Sequence, residues 1–193
     1  MTLDAGDPSI VRLGGAVRRS LPVALGALAV VGVLAALQIA TAPASGSGRD
    51  ALLELRLEVP HGPFQPGSPI EVNATLTNLG PDARVDLSSD TAIVYYSLRQ
   101  LDGDQQLDGG VSRLICDTHD ALIDRTPHHL NFGISGGILE QSAEIWALNP
   151  PGSAELRLPA GRWQLTAHVN ATTSTDCSGT PHRLSAAVGL EVR

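Results

Sequence analysis

Lysine is missing altogether: all 13 basic residues are arginine. This bias reads as genome composition, with adaptation to salt a second reading, since the acidic excess is modest. Methionine is confined to Met1. A blue-copper centre normally wants two His, a Cys and an axial Met, and the sole Met in the N-terminal tail argues against that centre. Cysteine occurs only as Cys116 and Cys177, so no bacterial-type lipid-anchored cysteine stands near the N-terminal apolar run. A strong amphipathic helix is also lacking, as is any internal repeat, which argues against a parallel α/β fold.

What is present first is that apolar run. Residues 21–37 read LPVALGALAVVGVLAAL, without a charged or strongly polar side chain. Continued to Ala44 it offers about 24 residues, enough to cross a ~30 Å hydrocarbon core at ~1.5 Å per residue. Arg18 and Arg19 precede it, whereas Arg49 and Asp50 cancel after it, so the positive-inside bias puts the tail in the cytoplasm and the rest outside. The expected order is a cytoplasmic tail (1–20), a transmembrane signal anchor (21–44) with the lipid bilayer as its partner, a flexible linker (45–50) and an extracytoplasmic domain (51–193). The alternative is a secreted protein, because Ala42-Pro43-Ala44 has the small-x-small form cut by signal peptidase before Ser45. Signal h-regions run only ~7–15 residues, and a leader holding Asp4 and Asp7 is unusual. Arg18-Arg19-Ser20-Leu21 matches a twin-arginine signal only in part, and Pro22 interrupts it.

About 150 residues lie beyond the run, room for one domain with a sizeable core. There, ten Arg stand against eighteen Asp and Glu, a net of −8. Such a surface repels nucleic acid and anionic lipid, so nucleic acid is not an expected partner. In an oxidising compartment Cys116 and Cys177 are expected to form one disulfide.

Period-two alternation dominates the outer part. Leu53, Leu55, Leu57 and Val59 alternate with Glu54, Arg56 and Glu58; Ile70, Val72, Ala74 and Leu76 alternate with polar residues after a Phe64-Gln65-Pro66-Gly67 turn. Val85 and Leu87, residues 93–98 and residues 111–115 are further strand candidates, separated by the turns NLGPD (78–82) and 101–110. Residues 117–137 lose the periodicity and form a long loop rich in His, Asp and Gly, a kind of segment that tends to be functional. Residues 138–148 fit neither template cleanly, with a strand favoured for the second half. Ala154, Leu156 and Leu158, then Trp163, Leu165, Ala167 and Val169, then the row from Leu184 to Val192 supply the last strands. The expected fold is all-β, an antiparallel immunoglobulin-like β-sandwich preceded by one N-terminal transmembrane helix.

Phe64-x-Pro66-Gly67-x-Pro69-Ile70-x-Val72, then Thr75-Leu76-Thr77-Asn78 and Val85-x-Leu87, resemble the immunoglobulin-like domain of the bacterial intracellular proteinase inhibitor family. Residues 148–169, LNPPGSAELRLPAGRWQLTAHV, resemble that family's C-terminal turn-and-strand order. The resemblance covers about half of the outer domain and implies the sandwich, with a membrane-tethered proteinase inhibitor as one expected activity. No inhibitory loop matches residue by residue, so no reactive site is carried over.

Several groups carry the chemistry of a site. Cys116-Asp117-Thr118-His119 with His128 and His129 holds ligand types for zinc or copper at no recognised spacing, which allows a metal site in the 117–137 loop as a lesser reading. Asp102, Asp104 and Asp108 could gather oxygens around calcium, but Leu107 and Arg113 stand where an EF-hand needs Gly and Glu, so a polar hairpin is expected. Gly133-Ile134-Ser135-Gly136-Gly137 matches the nucleophile-elbow pattern, with Asp176 and His182 following in hydrolase order, but the elbow needs a parallel sheet and a helix. Asn73 and Asn170 head N-glycosylation sequons. Trp146 and Trp163 are expected in the core. Tyr95 and Tyr96 must face opposite sides of one strand, so one of them, with the nearby Asp-rich turn, is a candidate interaction surface. The chain is therefore expected to be non-enzymatic and cofactor-free, and to bind another envelope or extracellular protein.

Overall fold

The computed structural model describes residues 43–90, 92–109, 116, 118–133, 143–149 and 153–193. The predicted tail and nearly all of the predicted membrane run lie outside them, as do the strand candidate at 111–115 and the elbow serine Ser135. Among the described residues no helix is long and apolar enough to cross a membrane.

The described chain is all-β, with every strand pairing antiparallel. One four-stranded sheet has the order β1 (Ala44–Arg49), β2 (Leu53–Val59), β4 (Asn73–Asn78), β9 (His128–Leu130). The other runs β12 (His182–Val192), β11 (Gly161–Ala171), β6 (Val94–Gln100), β7 (Gln106–Asp108). Two ribbons complete it: β3 (Pro69–Ile70) with β10 (Leu156–Arg157), and β5 (Arg84–Ser89) with β8 (Thr118–Ile123).

The alternation in the sequence becomes the two faces of each strand. Leu53, Leu55 and Leu57 on β2 meet Trp163, Leu165 and Ala167 on β11 in one core, all of them fully buried. Each buried Leu contributes roughly 1.5–3 kcal/mol over an exposed one. Trp163 is the largest of them, and its Nε1–H donates to the Pro159 carbonyl at 3.1 Å, so its one polar atom is satisfied.

Four expectations are corrected. The Gly/Ser segment read as a tether is strand β1, hydrogen-bonded to β2 in register from Ala44↔Val59 to Arg49↔Glu54. Its inward row is Ala44, Gly46 and Gly48, and a Cβ added at Gly46 or Gly48 would collide with the carbonyl oxygen of Ala187 or Ser185 on β12. These glycines permit a close approach of two backbones rather than a flexible chain. The 117–137 loop contains β8 and β9, and the 101–110 turn contains β7.

The second half of 138–148 is not a strand but a helix, α1 (Ala143–Leu148), built from strong helix formers. Buried Asn149 ends it: its backbone N–H and its Nδ2 both donate to the Ile145 carbonyl, each at 2.9 Å. The same side chain donates to the Arg157 carbonyl at 2.6 Å and accepts the Arg157 N–H at 2.8 Å, fastening the helix end to β10.

Candidate functional site

Pairing of β6, β11 and β12 fixes which side chains share the solvent-facing side of their sheet. Tyr95 lies across from His168, His168 across from Ser185, and Ser97 across from Asp108 on β7. All five residues sit at outward positions, because their neighbours Tyr96, Leu98, Val169, Leu184 and Leu107 point into the core.

Half-buried His168 is the centre of this face. Its Nε2 is 2.7 Å from Ser97 Oγ and its Nδ1 3.0 Å from Ser185 Oγ, so both ring nitrogens are engaged across three strands. Tyr95 stacks on the imidazole with ring centroids 4.9 Å apart and planes 17° from parallel. Burial pushes the His168 pKa down, against the pull of Asp108, which keeps the ring neutral near pH 7. A neutral imidazole has one donor and one acceptor nitrogen, so it accepts from one serine and donates to the other. Burial, with Asp108 adding to it and Arg183 opposing, raises the Tyr95 phenol above its ordinary value, so it too stays neutral.

A cavity of about 400 Å³ opens beside this centre, lined by Tyr95, His168, Asn170, Arg183 and Ser185. A smaller polar one of about 200 Å³ shares Asn170 and Arg183 with it. A third, about 400 Å³, lies between the β5–β8 ribbon and residues 173–175.

Comparison with protein-family models, curated proteins and solved structures finds no match. The functional reading therefore rests on this chain's own geometry.

The residues singled out in the sequence are distributed as follows. Cys116 and Cys177 are joined, with S–S 2.03 Å and Cα–Cα 5.7 Å, so neither is a thiolate ligand. His119 lies on β8 and His128 and His129 on β9; His128 faces Asp120 at 3.4 Å and His129 faces Asn73 at 3.3 Å. Among the described residues no group of three or more His, Cys, Asp or Glu could hold a metal ion. Asp102 accepts the Arg162 N–H and lies 3.6 Å from the Arg162 guanidinium, while Asp108 belongs to the Tyr95–His168 face, so the three aspartates do not converge. Asp104 is an exposed turn residue.

Tyr96 is buried against Phe132 and Tyr95 is the outward one, which places Tyr95 and Asp108 on the same face. Asp176 closes its own turn onto Ser178, and His182 is held by Asp50 at 2.7 Å, so neither serves the other as a catalytic partner. Of the two sequons, the Thr172 hydroxyl of the Asn170 site is buried 3.3 Å from Ser88 Oγ; sugar transfer there would have to precede folding. Trp163 is in the core, as expected; the side chain of Trp146 lies outside the described residues.

His168, Ser97, Ser185 and Arg183 were not legible as a site. Strand parity alone puts each on the polar face, but their meeting depends on the register of three strands 17 to 71 residues apart.

Proposed function

We propose that the chain is a single-pass, membrane-anchored protein displaying an immunoglobulin-like β-sandwich outside the membrane. Its contact with another envelope or extracellular protein is made by the outer face of the β12-β11-β6-β7 sheet. The observation that carries this reading is the Tyr95–His168 stack, ringed by Asp108, Arg183 and Ser185 on one open face. Tyr and Arg are the residue types enriched where protein partners dock, and a neutral, pre-ordered aromatic pair loses little entropy on contact. The apolar run ahead of β1 would be the bilayer partner, and the acidic balance of the rest directs the contact away from nucleic acid.

The test is site-specific photo-crosslinking of the full-length chain in native membranes. A photoreactive residue at Tyr95 should capture a discrete neighbour, and one at Arg56, outward on β2 in the opposite sheet, should not. Identical products from both positions would sink the proposal.

A further inference from the structure

The three-strand arrangement around His168 has a chemical property that goes beyond protein contact and does not depend on it. Ser185 is exposed, faces the cavity of about 400 Å³, and has its Oγ 3.0 Å from His168 Nδ1. The opposite ring nitrogen is held 2.7 Å from Ser97 Oγ, and the Tyr95 ring fixes the plane of the imidazole. Arg183, two residues before Ser185 on β12, lines the same cavity. A nucleophile within hydrogen-bond reach of a base, with the base oriented by a third group, is the arrangement that activates a hydroxyl.

We propose that Ser185 is an acyl-acceptor nucleophile, with His168 as its general base, Ser97 as the positioning residue and a small, activated ester bearing an anionic group as the substrate class. His168 carries its proton on Nε2, donated to Ser97 Oγ, and accepts the Ser185 hydroxyl at Nδ1. As Ser185 Oγ bonds to the ester carbonyl carbon, its proton passes to Nδ1. Collapse of the tetrahedral intermediate breaks the bond from carbon to the alkoxy oxygen, and the imidazolium returns the proton to the departing alkoxide. The product is acyl-Ser185. Asp108, opposite Ser97, favours the transient imidazolium, and Arg183 faces the negative oxygen.

The main chain of Ser185 is packed against Gly48 of β1, so oxyanion stabilisation falls to the Arg183 side chain. Each absent oxyanion donor lowers a rate by roughly 10²–10³. Ser185 is therefore a slow, stoichiometric acceptor and not a fast hydrolase.

The experiment treats the full-length chain with a fluorophosphonate and maps the adduct by mass spectrometry. One adduct on Ser185 is expected, absent from Ser185→Ala and slowed roughly a hundredfold or more in His168→Gln, as removal of a general base requires. The labelling rate should rise with pH as His168 loses its proton, in the presence of Asp108 from β7, Tyr95 from β6 and Arg183 from β12. Ser97→Ala should move the midpoint of that profile, which a purely structural role would not do. Circular dichroism of each variant separates lost reactivity from lost fold. Labelling of a different serine, equal labelling of the urea-unfolded chain, or a rate indifferent to both His168→Gln and Ser97→Ala in folded protein would overturn the proposal.

Discussion

Gly46 on β1 and Ala187 on β12 meet backbone to backbone, with no room for a side chain between them. β1 belongs to one sheet and β12 is the edge strand of the other, so this approach covers an edge that would otherwise present unpaired N–H and C=O groups. Gly48 repeats it two residues on, against Ser185.

It follows that Gly46→Ala and Gly48→Ala should each destabilise the domain by roughly 1–3 kcal/mol, the scale of overpacking. Gly189→Ala, on β12 where an added Cβ meets nothing within 4 Å, should stay within about 0.5 kcal/mol of the parent. Urea denaturation of the three variants checks this. Equal midpoints for Gly46→Ala and the parent would show that β1 does not need the close approach.

A second latch joins the same hairpin to β12. Asp50 Oδ1 accepts the N–H groups of Leu52 and Leu53 at 2.7 and 2.8 Å, and Oδ2 takes the His182 Nδ1–H at 2.7 Å. Burial alone would raise the Asp50 pKa, but the hydrogen bonds from His182 and the two backbone amides outweigh it and hold the carboxyl below its ordinary value. A carboxyl depressed in the folded state contributes stability above its unfolded pKa of about 3.9, and loses it as pH falls through the folded value. Asp50→Asn should therefore cost about 1–2 kcal/mol at pH 7. That difference should shrink below about pH 4. Thermal melts of both proteins between pH 3 and 7 check it; a difference independent of pH would rule out the charge as its source.

The strands with alternating apolar residues, β2, β4, β11 and β12, were legible because period two is a hydrophobic signal. β1 carried none: its inward Ala44, Gly46 and Gly48 fit by being small, and the sequence pattern of a close backbone approach is the same as that of a flexible linker. The six-residue α1 escaped because its end is set by Asn149 bonding Arg157, eight residues away. The Cys116–Cys177 link needed only the count of two cysteines, whereas the His168 centre needed register. Period two says which face a residue takes but not which residue stands opposite it.

The disulfide spans 61 residues of sequence. In the chain-entropy account a loop of that length restricts the unfolded chain by about 4 kcal/mol. The double variant Cys116→Ser, Cys177→Ser should lose most of that, read as a lower urea midpoint than the oxidised parent. Reduction of the parent should reproduce the loss, and a parent insensitive to reductant would contradict it.

Tyr96 combines deep burial with a hydroxyl that has no hydrogen-bond partner among the described residues. Burial pushes its phenol up to about 12, so the folded chain keeps it neutral over a range where the unfolded chain, with a value near 10, ionises. Between those values the unfolded state binds fewer protons, and stability must fall as pH rises. Removing the hydroxyl eliminates both the unmet hydrogen-bond need and this alkaline loss. Tyr96→Phe should thus be as stable as the parent, or more stable by up to about 1 kcal/mol, at pH 7, and should gain on it steadily above pH 10. Urea titrations at pH 7, 10 and 11 decide the matter. If Tyr96→Phe is less stable at pH 7 and runs parallel to the parent at high pH, the hydroxyl has a partner and the phenol is not the group that titrates.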